Sequence, residues 1–138
     1  MSIWFKPVTL ADLSMVGMAK HLGMEFLEVG PDFIRGRMPV DHRTHQPYGI
    51  LHGGASVALA ETLGSTGAML TLDPDKYRCV GQEINANHIR GISSGFVIGT
   101  ARPVHVGRRS HVWEIRITDE RDKLVCISRL TMAILEKE

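Results

Sequence analysis

The chain has 138 residues, 43% of them hydrophobic and 22% charged, with a formal net charge of +1. That length fits one domain, residues 1–138, whose core needs no disulfide or metal staple, and the balanced charge gives no drive toward nucleic acid. Cys79 and Cys126 belong to no CxxC pair, and the N-terminus MSIWFKPVTLADL has neither a basic segment nor an apolar h-region, so the reducing cytoplasm is the expected setting.

Thr9, with Asp12 three residues on, reads as an acidic capping box opening a helix from Leu10 to about Lys20, its apolar side formed by Leu10, Leu13, Val16 and Met18. Extended runs follow at Met24–Val29 and Phe33–Met38. Gly30-Pro31-Asp32 between them is a turn signal, so the pair predicts a hairpin. A polar loop, Pro39 to Leu51, carries His42 and His45 and delivers the chain to His52-Gly53-Gly54.

There a long apolar helix begins, and Asp73-Pro74-Asp75 ends it. Four strand-like runs complete the chain: Arg78–Arg90, Phe96–Val106, Ser110–Thr118 and Leu124–Leu135. In the third, Trp113, Ile115 and Ile117 alternate with Glu114, Arg116 and Thr118, so one face is core. The fourth is apolar at both parities, which predicts a central strand covered on both faces. The sum is an α+β domain: one long helix against a mostly antiparallel sheet of about five or six strands.

From Gly53 to Leu72 every residue is apolar, glycine, Ser or Thr except Glu61. The glycines, the hydroxyls and this carboxylate argue against a membrane span. An unpaired carboxylate in an apolar setting costs several kcal/mol. Glu61 therefore either turns to solvent or an arginine, or serves as a base or nucleophile. Gly53 and Gly54, at a helix N-terminus with unpaired N–H groups, either permit tight packing or form an oxyanion site.

Eight residues of helix separate Gly53 from Glu61 by about 12 Å, too far for both to meet one carbonyl. Two antiparallel copies of the helix would bring the N-terminus of one beside the middle of the other. A homodimer with two shared active sites is the expected assembly.

The runs HQPYGILHGGASVALAETLGS, EINANHIR and HVGRRSHVWEIRI resemble the hotdog-fold acyl-CoA thioesterases, in the branch that acts on aromatic acyl-CoA. The likeness runs from IWFKPVTL to RLTMAIL. It is close to the enterobacterial thioesterases that hydrolyse dihydroxynaphthoyl-CoA or proofread enterobactin synthesis. The resemblance implies that the long helix is wrapped by the antiparallel sheet. It implies that Glu61 attacks the thioester carbonyl or activates water, and that the Gly53 N–H of the partner subunit polarises that carbonyl.

By the same resemblance Gln46 and His52 orient thioester and water, and Ser65 supports the water or the carboxylate. From the residues alone, Gln46 equally caps the Pro47 turn, His52 caps the helix, and Ser65 bonds a backbone carbonyl. For the CoA moiety the expected contacts are His88, Arg90, Arg108 and Arg109, with the backbone of Gly107 and Ser110 along the pantetheine arm. Coenzyme A is then part of the substrate, and no cofactor or metal is expected. Pairing of dimers into tetramers is the family habit.

Three other readings have less support. Asp41, His42, His45 and His52 include zinc-type ligands, but they lie on a loop with Pro39 and Pro47 rather than at helical spacing. A hotdog dehydratase or hydratase would pair a catalytic His with an acid, and no such pair is evident. A non-catalytic acyl-CoA-binding dimer would leave Glu61 without a purpose. Leu51, Val57, Met69 and Phe96 are the sequence's candidates for the acyl pocket.

Overall fold

A computed structural model describes residues 1–138. Strands β1 (Glu25–Val29) and β2 (Ile34–Pro39) form the expected hairpin, and helix α1 (Gly17–His21) precedes them. The long helix α2 (Gly53–Leu70) is followed by β3 (Tyr77–His88), β4 (Phe96–Val106), β5 (Ser110–Thr118) and β6 (Leu124–Glu136). The strands make one six-stranded sheet in the order β1-β2-β4-β5-β6-β3, every neighbouring pair antiparallel. This is the hotdog fold: α2 packs across β2 to β6 on the concave face. No helix is long and apolar enough to cross a membrane.

Glycine inside a helix costs about 1 kcal/mol relative to alanine, yet α2 carries several. The packing explains two of them. A Cβ on Gly64 would lie 2.7 Å from Leu130 Cδ2, and one on Gly67 would lie 2.6 Å from Trp113 Cζ3. The sheet reciprocates: Leu63 fills the hollow over Gly36 and Gly99, where a Cβ at either site would come within 2.7 Å of it. Leu59, Leu63, Trp113, Ile115, Ile117 and Leu130 are consequently fully buried, and each leucine or isoleucine so placed contributes about 1.5–3 kcal/mol.

Two expectations need correction. The helix foreseen from Leu10 to Lys20 is instead a single 3-10 turn, Leu10–Asp12, followed by an extended stretch and the short α1. Asp12 does accept from the Thr9 backbone N–H at 2.8 Å. However, Ser14, Val16 and Gly17 have low helix propensity, and Gly17 takes φ +57°, outside the right-handed helix. Val16 and Met18 are exposed, while Val8, Met15, Ala19 and Leu22 pack on the core.

The second correction concerns β6. It is interior in the sheet, but the buried Cys126, Ser128, Leu130 and Met132, with Ile134 beyond them, alternate onto the inner face. On the outer face, where the chain places no second layer, Ile127, Thr131 and Ala133 are half-buried and Arg129 is exposed.

Candidate active site

The elements bearing the candidate residues run side by side. Helix α2 and the edge strand β3 lie antiparallel, so that His88 sits by Gly53 and Gly81 sits by Glu61. Gly53, Val57, Glu61, Ser65 and Met69 form one stripe at four-residue spacing, which a helix turns to a single side.

His52 is the N-cap of α2, its backbone extended and its Nδ1 accepting from the Gly54 N–H at 2.8 Å. That bond fixes the exposed imidazole over the helix entry. The carbonyl of His52 accepts from Ala55 and Ser56, while the Gly53 N–H has no acceptor within the chain. A free N–H at the positive end of an 18-residue helix is a ready donor to an oxyanion.

Around it lies an open crevice of about 290 Å³ lined by Gln46, Leu51, Gly53, Ser56, His88 and Arg90, among others. A Cβ on Gly53 would come 2.7 Å from His88 Nε2, so only glycine leaves this approach clear. The Gln46 backbone N–H donates to the Ile50 carbonyl, and its side-chain Oε1 accepts from the Tyr48 N–H. Asp41 pins the start of the same loop through Arg43, whose Nη2 donates to it at 2.7 Å. Those bonds from the Arg43 side chain and backbone hold the Asp41 carboxyl down to about 2.

The Glu61 side chain is half-buried, its carboxylate makes no hydrogen bond or ion pair, and it lies against Gly81 in β3. Its expected support, Ser65, donates its hydroxyl to the Glu61 backbone carbonyl at 2.5 Å, as an intrahelical hydroxyl commonly does. Beyond Ser65 a crevice of about 380 Å³ is lined by Ser65, Thr66, Met69, Leu72, Tyr77 and Cys79, with others at its rim. Burial raises the Cys79 thiol above its ordinary range.

Gly107, Arg108 and Arg109 line a third crevice, about 630 Å³, that shares Leu72 and Tyr77 with the second. The Gly107 N–H donates to the Ser110 carbonyl at 2.9 Å, which closes the β4–β5 turn. Of the sequence's candidates, Gln46, Gly53, His88 and Arg90 are therefore brought together at one end of α2. Glu61 and Ser65 stand at its middle, and the arginine turn lies near its C-terminal end.

The zinc-type residues do not converge. His45 Nε2 pairs with the Ser93 carbonyl at 3.0 Å, and no three of the chain's His, Cys, Asp and Glu side chains gather as a metal site. Leu51 lines the first crevice and Met69 the second, but Phe96 lies on the outer face beneath the Arg37 guanidinium, 4.2 Å from its ring centroid. Sequence reasoning passed over Gly81, Thr66, Tyr77 and Cys79. An isolated glycine within a strand pattern was the available signal for Gly81.

Residues 48–126 match the family model described as the thioesterase superfamily. A putative esterase of Vibrio cholerae is 52% identical, over 97% of this chain and 91% of that protein. A 1,4-dihydroxy-2-naphthoyl-CoA hydrolase of Escherichia coli is 47% identical over 96% of this chain and 99% of its own length. A proofreading thioesterase of Cronobacter sakazakii is 49% identical, with 96% and 98% covered. Among solved structures, a mutant thioesterase from Pseudomonas aeruginosa superposes with a TM-score of 0.95 at 45% identity, covering 99% of this chain and 100% of that one.

Proposed function

This chain belongs to the thioesterase superfamily and is a thioester hydrolase, and from that premise we propose that it cleaves aromatic acyl-CoA at sites shared by two copies of the chain. The observation that carries the reading is the Glu61 carboxylate. It is half-buried and unpaired on the stripe of α2 turned to an edge strand, about 12 Å along the helix from the free Gly53 N–H.

Hydrolysis needs the oxyanion donor and the attacking oxygen within about 3–3.5 Å of the reacting groups. In this reading the Gly53 N–H of one copy polarises the carbonyl and Glu61 of the other drives the attack. Either a Glu61 oxygen bonds to the carbonyl carbon, the C–S bond breaks, CoA leaves as thiolate and water cleaves the mixed anhydride, or Glu61 takes a proton from water as the water oxygen bonds to that carbon, and the C–S bond then breaks to release the CoA thiolate and the acid. Gln46 and His52 orient the thioester and water at the crevice end, and Ser65 steadies the turn that carries Glu61.

Arg108 and Arg109, exposed beside their own crevice, suit the CoA phosphates, with Gly107 and Ser110 along the pantetheine arm. His88 and Arg90 share the Gly53 crevice and so stand nearer the thioester. Aromatic preference draws support from the relative named for a naphthoyl-CoA substrate. The crevice lined by Met69, Leu72, Tyr77 and Cys79 adds the apolar surface that a ring would cover. Coenzyme A enters and leaves with the substrate, and the scheme needs no cofactor.

The test is thiol release from benzoyl, hydroxybenzoyl, hydroxynaphthoyl and aliphatic CoA thioesters. Aromatic substrates are expected to turn over fastest, and Glu61→Ala and Glu61→Gln to lose on the order of 10³-fold or more while staying assembled. Variants that keep their activity would move the chemistry away from Glu61. A single turnover in heavy-oxygen water separates the two routes, because only direct attack leaves label first in the Glu61 carboxylate.

A further inference from the structure

Gly81 is exposed in β3 beside a register shift, where Gln82 is left out of the ladder to β6. Its backbone is not in the left-handed region, so conformation does not demand glycine here. Space does. A Cβ built at position 81 would overlap Glu61 Oε2 and lie 3.3 Å from Glu61 Cδ, whereas the next neighbour, Leu130 Cδ1, is at an ordinary 4.0 Å. No other side chain is crowded. Since the Glu61 carboxylate makes no hydrogen bond or ion pair, nothing else in the chain fixes its terminal oxygens.

We infer that Gly81 is a positioning residue for hydrolysis: its bare backbone at the β3 bulge is the seat against which the Glu61 carboxylate is held for attack. The inference rests on the reading that Glu61 drives the reaction. It has a consequence that separates positioning from stability. The atom a new Cβ would strike is the far end of a flexible side chain, so alanine at 81 costs the fold little. The carboxylate must nevertheless swing away from its seat, and a displacement of about 1 Å at a reacting group can cost on the order of 10²-fold in rate.

The experiment compares Gly81→Ala with wild type in both the Glu61 and Glu61→Asp backgrounds, with crystal structures of wild type and Gly81→Ala. The expected result is a kcat lower by on the order of 10²-fold, KM within about threefold, unchanged Tm and oligomeric state, and a carboxylate displaced from the bulge. Aspartate, one methylene shorter, withdraws its oxygens from position 81. In that background Gly81→Ala is expected to change kcat by less than about threefold, a coupling that independent damage would not produce.

Wild-type kcat in Gly81→Ala overturns the inference, as does a carboxylate that stays in place or a loss that tracks KM or assembly. If Gly81→Ala is active while Glu61→Gln is not, only this inference falls. If Glu61→Gln is active, the reading beneath it falls as well.

Discussion

The imidazole of His111 is fully buried on the inner face of β5, where its Nδ1 accepts from the Trp113 indole N–H at 3.3 Å and its Nε2 has no protein partner. An accepting Nδ1 places the ring proton on Nε2, an assignment that follows from the hydrogen bond. Protonation would put a second donor against the indole donor and a charge in the core. Burial, with the His105 charge nearby, accordingly lowers the folded pKa below the ordinary 6.5. The contribution to stability is present in full above about pH 6.5. It is lost as pH falls from there toward the lower folded value, because the unfolded chain takes a proton that the fold refuses. His111→Gln keeps an acceptor for the indole without titrating. Its Tm is expected to fall less than that of wild type between pH 7.5 and 5.5, as read by thermal melts, whereas an equal fall would assign the dependence to other histidines. Residues differ in how readily sequence exposes them. Glu61 stood out in the sequence as the lone carboxylate of an apolar helix, and the structure leaves that carboxylate half-buried and without a partner. Gly81 did not stand out, because the carboxylate it faces lies 20 positions away and only the packing of β3 beside α2 makes them neighbours.

Between α2 and the sheet, small residues on one element answer large ones on the other. Trp113 is wedged between Gly67 and Trp4, the two indoles stacked 6.5 Å apart at 9°. Trp4 is tied in turn by its Nε1–H to the Gly30 carbonyl at 2.8 Å. A ring so fixed cannot yield as the free end of the half-buried Glu61 side chain can. Gly67→Ala gains about 1 kcal/mol of helix propensity but overpacks a filled core, which typically costs about 1–3 kcal/mol. It is expected to lower the urea midpoint and to change turnover little, the reverse of Gly81→Ala. A stability equal to or above wild type would show that the indole pair can shift. The strands and the long helix were legible because alternation, turn residues and charge-poor length each point the same way. The N-terminal helix was misread because one local signal, the Thr9–Asp12 cap, outweighed the low propensity of Ser14 to Gly17. The outer face of β6 was misread because apolar residues at both parities do not say whether a second layer exists.

At the scale of the whole molecule, a single copy holds the residues of the proposed hydrolytic site at stations that cannot meet. Glu61 stands at mid-helix and the free Gly53 N–H about 12 Å away. Strand β3, 12 residues long, ends the sheet with one edge unpaired, and Val80, Gly81, Gln82 and Glu83 are exposed along it. A long open edge is a template for pairing with another chain. In the proposed function that chain is a second copy, whose α2 runs antiparallel to the first. Sequence alone reached the pairing only by the arithmetic of helix rise. The strand order leaves β1 and β3 as its two ends, and of these β3 is the one that lies beside Gly53 and Glu61, which makes its edge the one the proposed pairing would use. Complementation tests the idea directly. Gly53→Pro removes the donor at the first helical position, where proline is tolerated, and the nearby His88 is an exposed side chain able to move aside. Glu61→Ala removes the attacking group. Each homodimer has two defective sites, whereas a mixed dimer has one site with both defects and one with neither. Co-refolding the two variants in equal amounts makes roughly half the dimers mixed, so the expected recovery is roughly a quarter of wild-type activity. If each site lay within one chain, the mixture would stay as inactive as its parents, and the shared site would have to be abandoned even though Glu61 remained essential.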